Sequence, residues 1–168
     1  GQDYRKSASA INTLGGGVLC ELSHELDYAQ WFFGSIDSVQ ALIQNSGTLE
    51  VDVEDTAQLL LVSNNNVPIF IHLDFNRRHP ARSCVVRGTA GEINWDVITK
   101  GVRWSTAING ETTKLFNYDR DEIYQTQLQH YLSCIEQGIQ PAVTLTDGVQ
   151  TLKIIEAARK SHLTGKRI

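Results

Sequence analysis

The run Gly15–Phe33, GGGVLCELSHELDYAQWFF, holds the residues best suited to chemistry. His24 stands four residues after Cys20 and three after Glu21. A carboxylate about one helical turn from an imidazole orients it for proton transfer. Three glycines open the run, so another backbone or a flat ligand can come close, and a helix starting there offers positive potential to an anion. The same residues read equally as a solvated histidine beside a carboxylate on a surface helix. Cys20 and His24, at i and i+4, are also spaced as two metal ligands. No second pair at ligand spacing exists, and zinc needs three or four protein ligands, so no metal is expected. Cys20 is either a thiolate nucleophile activated by the helix start and His24, or a small space-filler.

Tyr4, Arg5 and Lys6 form a second candidate group, since an arginine beside a tyrosine suits carboxylate, phosphate or sugar hydroxyls. The alternative is a frayed terminus. Arg77, Arg78, His79 and Arg82 make a local basic cluster that is either an anion contact or a solvated turn. Trp95 and Trp104 lie in strand-like runs, where sheet packing is expected before ligand stacking.

The elements that must position these residues follow from periodicity. At about 100° per residue, Leu19, Leu22, Leu26, Ala29 and Phe33 share one stripe while Cys20, His24, Asp27 and Trp31 share nearly the opposite one. One amphipathic helix over residues 15–33 is therefore expected, stopped by Gly34. Residues 36–106 change to β-branched, partly alternating runs: SVQALIQ, TAQLLLVS, PIFIHLDF, RSCVVRG, EINWDVI and VRWSTA. Asn64–Asn66 and Gly88–Gly91 are short turns, which imply antiparallel neighbours. A short strand over Lys114–Tyr118 and helices over Glu122–Gln137 and Asp147–Leu163 complete the chain, with Asp121 expected to cap the first helix and Leu145–Asp147 the second.

That order predicts one α+β domain over residues 1–168: an open, predominantly antiparallel sheet of about six strands with helices on one face. The other face, partly apolar through the alternation of Gln58, Leu60 and Val62 and of Ile69, Ile71, Leu73 and Phe75, is available for oligomerisation as a homodimer or tetramer.

With 168 residues, 41% hydrophobic and 20% charged, the composition is that of a globular domain rather than a disordered, collagenous or coiled-coil chain. A formal charge of −4 argues against a nucleic-acid partner. No apolar run reaches the roughly 18 residues of a membrane span, and the polar start lacks the core of a signal peptide, so a cytoplasmic location is expected. Three scattered cysteines fit reduced thiols. The absence of methionine from a chain that begins at Gly1 points to a piece of something longer. There is no G-x-G-x-x-G after a strand, no phosphate-binding G-x-x-x-x-G-K-[ST], no H-E-x-x-H and no G-x-S-x-G, so no nucleotide is expected to bind this chain by itself.

GGGVLCELSHELDYAQWFFG resembles the Gly-rich His helix, G-G-G-x-L-x-(D/E)-x-x-x-H-x-x-D, of the Gfo/Idh/MocA oxidoreductases, the family of glucose-fructose oxidoreductase and inositol dehydrogenase. GQDYRKSASA resembles the segment leading into that helix in members found with surface-sugar and nonulosonic acid biosynthesis. RGTAGEINWD is similar to the family's G-x-x-G-x-(I/L)-x-W-(D) hairpin, and ARKSHLTGKRI to its closing helix and tail. The resemblance covers nearly the whole chain but only the C-terminal substrate-binding and oligomerisation domain; the N-terminal Rossmann domain, with its cofactor site and catalytic lysine, is absent.

The resemblance implies half of an NAD(P)-dependent oxidoreductase acting on a sugar or nucleotide sugar, inactive by itself. NAD or NADP would be held mainly by the missing domain, with Gly16 and Gly17 beside it. His24 would help move the hydroxyl proton of the substrate, with Glu21 as its acidic partner, and Tyr4, Arg5 and Cys20 would contact substrate. Many family members place an Asp four residues before the His, where this chain has Cys20. Either Glu21 takes over that role by a small shift, or the acidic partner is dispensable. Asp27 is expected to be structural. The alternative is a sugar-binding or oligomerisation module that kept the fold without the chemistry.

Overall fold

The computed structural model describes residues 3–168, leaving Gly1 and Gln2 of the leading GQDYRKSASA segment outside. Helices α1 (Val18–Glu21) and α2 (His24–Phe33) precede strands β1 (Ile36–Gln44), β2 (Thr56–Ser63), β3 (Pro68–Asp74), β4 (Ser83–Gly88), β5 (Gly91–Asp96), β6 (Gly101–Thr106) and β7 (Gly110–Leu115). Helices α3 (Arg120–Gln137) and α4 (Leu145–Thr164) follow. The class is the expected α+β. The chain forms two compact units, one running through Asn76 and resuming at Ala142–Ile168, the other spanning Arg77–Pro141.

In the first unit the antiparallel order is β1-β2-β3. Along β2, Ala57, Leu59 and Leu61 are fully buried while Gln58 and Leu60 are exposed, the period-2 signature of a sheet covered on one side. Helix α4 packs on β1 and α1 on β2 and β3. Val18, Leu19, Leu26, Ile154, Ile155 and Ala158 from the helices meet Val39, Leu59, Leu61 and Leu73 in one core. Each fully buried leucine there contributes roughly 2 kcal/mol of transfer free energy. On the uncovered face Leu60 pairs directly with Phe70, with Leu42 nearby on the same side, and all three are exposed. Ile69, Ile71 and Leu73 point the other way, into or against the core.

β1 is an edge strand whose outward amides are nevertheless satisfied by the C-terminal part of the chain. Val39 N–H donates to Ile168 O (2.8 Å), Ala41 N–H to Ser161 Oγ (3.1 Å) and Ile43 N–H to His162 Nδ1 (3.3 Å). Unpaired edges invite further strands, and here α4 and the tail close this one.

The second unit holds the antiparallel order β4-β5-β6-β7, followed by α3. The single sheet of about six strands expected from the sequence is thus two sheets, of three and four strands. Residues 75–82 break the ladder; Phe75 and Asn76 still belong to the first unit, and the Arg- and Pro-containing stretch that follows includes Pro80, which has no amide to donate.

Boundaries differ in physically simple ways. The expected single helix over 15–33 leaves α geometry at Leu22 (φ −101°, ψ 24°), whose side chain is drawn against the core. The amides of Glu25 and Leu26 then bond to Leu22 O and Ser23 O, three residues back, in a tightened turn that separates α1 from α2. The cap of α3 is Asp119, not Asp121: Asp119 and Glu122 close a reciprocal capping box, the Asp119 amide donating to Glu122 Oε2 (3.0 Å). Thr144 caps α4 in the same manner with Asp147. β7 lies at Gly110–Leu115, four residues before the run expected for it.

Candidate functional site

The site starts from how the chain enters α1. Residues Tyr4–Lys6, Ala8–Ala10 and Asn12–Leu14 form three short 3-10 turns, so the start is structured and not frayed. The loop joining β1 to β2 holds them. Tyr4 Oη donates to Leu49 O (2.7 Å), Arg5 pairs with Glu50 and with Asp3 (Nε to Oδ1, 2.9 Å), and the Asn12 amide donates to Asp52 Oδ1 (2.9 Å). The side-chain hydrogen bond from Arg5 holds the Asp3 carboxyl below its usual range, and the hydrogen bonds to Asp3 and Glu50 raise the guanidinium pKa further. The same loop reaches α1, where the Val18 amide donates to Glu54 O (3.0 Å). Tyr4 and Arg5, expected at the substrate, are both engaged in this anchoring.

Gly16 and Gly17 are buried, and their missing side chains serve the chain's own packing. A Cβ on Gly16 would lie 2.6 Å from the carbonyl oxygens of Ala8 and Ser9. At Gly17, with φ +113°, a Cβ would collide with the Glu54 carboxylate. The close approach read as a cofactor contact is therefore taken up by protein.

Asp55 fixes the loop from beneath. Its side chain is fully buried and accepts from the Ser46 amide (3.0 Å), the Ser46 hydroxyl (2.5 Å) and the Thr56 hydroxyl (3.1 Å). Burial pushes its carboxyl upward, but the Ser46 hydroxyl and amide, with Asn76 and Thr56, more than offset this and hold it below the ordinary range. Sequence reading missed Asp55; its only signal is an acidic residue directly before a β-strand.

His24 opens α2 with its side chain 47% exposed, which leaves the ring open to a ligand. Its Nε2 lies 3.1 Å from Oε1 of Glu25, whose side chain is only 11% exposed. With the proton on Nε2 facing that carboxylate, Nδ1 is left as an acceptor, so the ring can take a proton from a hydroxyl. Glu21, expected as the partner of His24, instead accepts from Ser9 Oγ (2.7 Å) and so ties α1 to the leading turns. The tightened turn at Leu22 and Ser23 lies between the two, and the acidic neighbour of His24 is Glu25. Asp27 accepts from Thr151 Oγ1 on α4 (3.4 Å), a structural bond.

Cys20 is half-buried, with the Arg159 guanidinium from α4 at 3.5 Å from its sulfur. Among the described residues, no group of three or more His, Cys, Asp or Glu side chains could hold a metal ion. No helix among them is long and apolar enough to cross a membrane.

The family model described as the oxidoreductase family, C-terminal alpha/beta domain, of Gfo/Idh/MocA type, matches residues 2–168. No curated protein matches significantly. Several solved structures share the fold. A levoglucosan dehydrogenase in complex with NADH and levoglucosan superposes with a TM-score of 0.89 at 16% identity over 96% of this chain and 53% of its own. An aldose-aldose oxidoreductase from Caulobacter crescentus, complexed with glycerol, gives 0.86 at 21% identity over 100% of this chain and 51% of its own. An NAD binding oxidoreductase from Klebsiella pneumoniae gives 0.84 at 17% identity, covering 96% of this chain and 53% of its own. This chain spans about half the length of these proteins.

Proposed function

The chain belongs to the Gfo/Idh/MocA oxidoreductase family through its C-terminal alpha/beta domain, and from that premise we propose that it is the substrate-binding half of an NAD(P)-dependent oxidoreductase acting on a sugar or nucleotide sugar. The cofactor, held by a Rossmann domain that lies outside these residues, supplies hydride acceptance or donation. This chain contributes the proton acceptor. His24 accepts the substrate hydroxyl proton at Nδ1 while Glu25 stabilises the imidazolium that forms. Cys20, at the end of α1, borders the substrate. Tyr4 and Arg5 act through the loop they anchor, and Glu21 and Gly16–Gly17 shape the helix start. The exposed Leu42, Leu60 and Phe70 support a role for the uncovered sheet face in homodimer or tetramer formation.

The observation that carries the reading is a half-exposed imidazole backed by a nearly buried carboxylate. Its test is His24→Gln in the intact enzyme, assayed with NAD or NADP over a panel of sugars. Sugar-dependent nicotinamide turnover is expected to fall by about 10²–10⁴-fold, the usual yield of positioned acid–base catalysis. Turnover within threefold of the parent removes His24 from the mechanism.

A further inference from the structure

Arg159 is not used in the proton transfer, yet it stands beside the site. It projects from α4, and its side chain is 47% exposed. Nη2 lies 3.5 Å from Cys20 Sγ and 3.5 Å from Glu54 Oε1. The contact to Glu54 is an ion pair at the outer limit, in which the buried Oε1 gains no hydrogen bond. Glu54 itself is immobilised, its backbone carbonyl bonded to Val18 and its carboxylate seated against Gly17. One corner of the guanidinium thus lies between Cys20 and Glu54. Among the described residues its Nε and Nη1 make no hydrogen bond, so most of the donor fork remains unspent.

A half-exposed arginine with most of its planar fork open suits a carboxylate or phosphate better than it suits a neutral hydroxyl. The position sets where that anion sits. Cys20 precedes His24 by four residues through a run of α and 3-10 turns, a rise of about 6–8 Å. An anion bound at Arg159 therefore sits beside Cys20, the residue that borders the substrate in the reading above.

We propose that Arg159 determines substrate specificity by binding an anionic substituent, carboxylate or phosphate, on the far side of the sugar from the carbon whose hydroxyl meets His24. This rests on the oxidoreductase reading above and narrows its substrate class to charged sugars. Neutral monosaccharides are poor ligands, because they leave the guanidinium donors facing an apolar or unmatched edge.

The test is calorimetric titration of D-glucuronate, glucose 6-phosphate and D-glucose into the intact enzyme saturated with NAD. At least one charged sugar should bind about tenfold or more tightly than glucose, as two charge-assisted hydrogen bonds would give. Arg159→Gln should bring that ratio to within threefold, and Arg159→Lys, which keeps the charge and the pairing with Glu54, should fall between. Tightening of glucuronate alone assigns a carboxylate site, and of glucose 6-phosphate alone a phosphate site. The proposal is overturned if neither charged sugar gains tenfold over glucose, or if both arginine variants weaken charged and neutral sugars equally. The readout needs no turnover. A charge preference that persists in an enzyme without sugar-dependent NAD reduction would retire the oxidoreductase reading and leave the anion site standing.

Discussion

Replacing Asp55 by Asn tests whether the loop between β1 and β2 is held by one buried charge. Both carboxylate oxygens accept the Ser46 amide, Oδ2 also takes the Ser46 hydroxyl, and Oδ1 the Thr56 hydroxyl. The amide has the same shape, but whichever way it turns its NH2 faces the Ser46 N–H, and donor meets donor. The two hydroxyls can rotate to accept; the backbone amide cannot. A hydrogen bond to a buried charged group is worth about 1.5–3 kcal/mol, so the loss is expected at roughly 2–4 kcal/mol. For a chain of this size that lowers Tm by about 4–16 °C.

The loop carries the contacts to Tyr4, Arg5, Asn12 and Val18, so amide exchange at Asn12 and Val18 should accelerate together in the variant. The pH dependence gives a second readout. The folded carboxyl is held below its unfolded value of about 3.9, so its contribution is complete above that pH and is lost as pH falls through the folded value. The gap in Tm between parent and variant should therefore be widest near neutrality and narrow below about pH 4. A variant within 0.5 °C of the parent at neutral pH, or a gap that grows on acidification, would refute the reasoning.

Glu25→Gln in the intact enzyme should lower kcat by about tenfold or more while Glu21→Gln stays within threefold, because a 3.1 Å contact joins Glu25 to His24 whereas Glu21 is bonded to Ser9; the reverse order would restore Glu21 as the partner. Ser161→Ala removes the buried hydroxyl that accepts from Ala41 N–H and donates to Lys166 O (2.6 Å), and should cost about 2 kcal/mol by chemical denaturation, with faster exchange at Ala41. Phe70→Asp, at an exposed position paired with Leu60, should shift sedimentation of the intact enzyme toward monomers without lowering the Tm measured at dilutions where the parent is itself monomeric; an unchanged sedimentation coefficient would show that this face is not the subunit contact.

The sheet was legible where one face is covered. Ala57, Leu59 and Leu61 alternate with Gln58 and Leu60 because only one side meets a helix, and a period of two needs no tertiary knowledge to be seen. What pairs with what was less legible. Six strands in succession with short turns suggest one ladder, and the one residue signal that pairing stops between Asp74 and Ser83 is Pro80, which reads equally as an ordinary turn; a break in a ladder is the absence of a partner, which single-strand propensity does not encode. The starts of α3 and α4 were each misplaced by two residues for a related reason. Asp121 looks as good a cap as Asp119, and the choice falls to Asp119 because Glu122 sits three residues on and can answer its amide.

The candidate site divides along the same line. That His24 lies opposite the leucine stripe follows from angular spacing, and the imidazole is indeed half-exposed. Its acidic neighbour did not follow, because angular spacing presumes an unbroken helix. Leu22 is drawn toward the core, the turn tightens, and α2 begins afresh at His24, so spacings counted from α1 no longer apply across the junction. Glu21 then points back to Ser9 and Glu25 takes the place beside the ring. Arg159 and Glu54 lay beyond sequence reading altogether, since they reach Cys20 and Gly17 from elements far apart in the chain. Local patterning thus places His24 on the open side of its helix, while its acidic neighbour and the residues around Cys20 are set by the break at Leu22 and by which distant elements pack against the resulting turn.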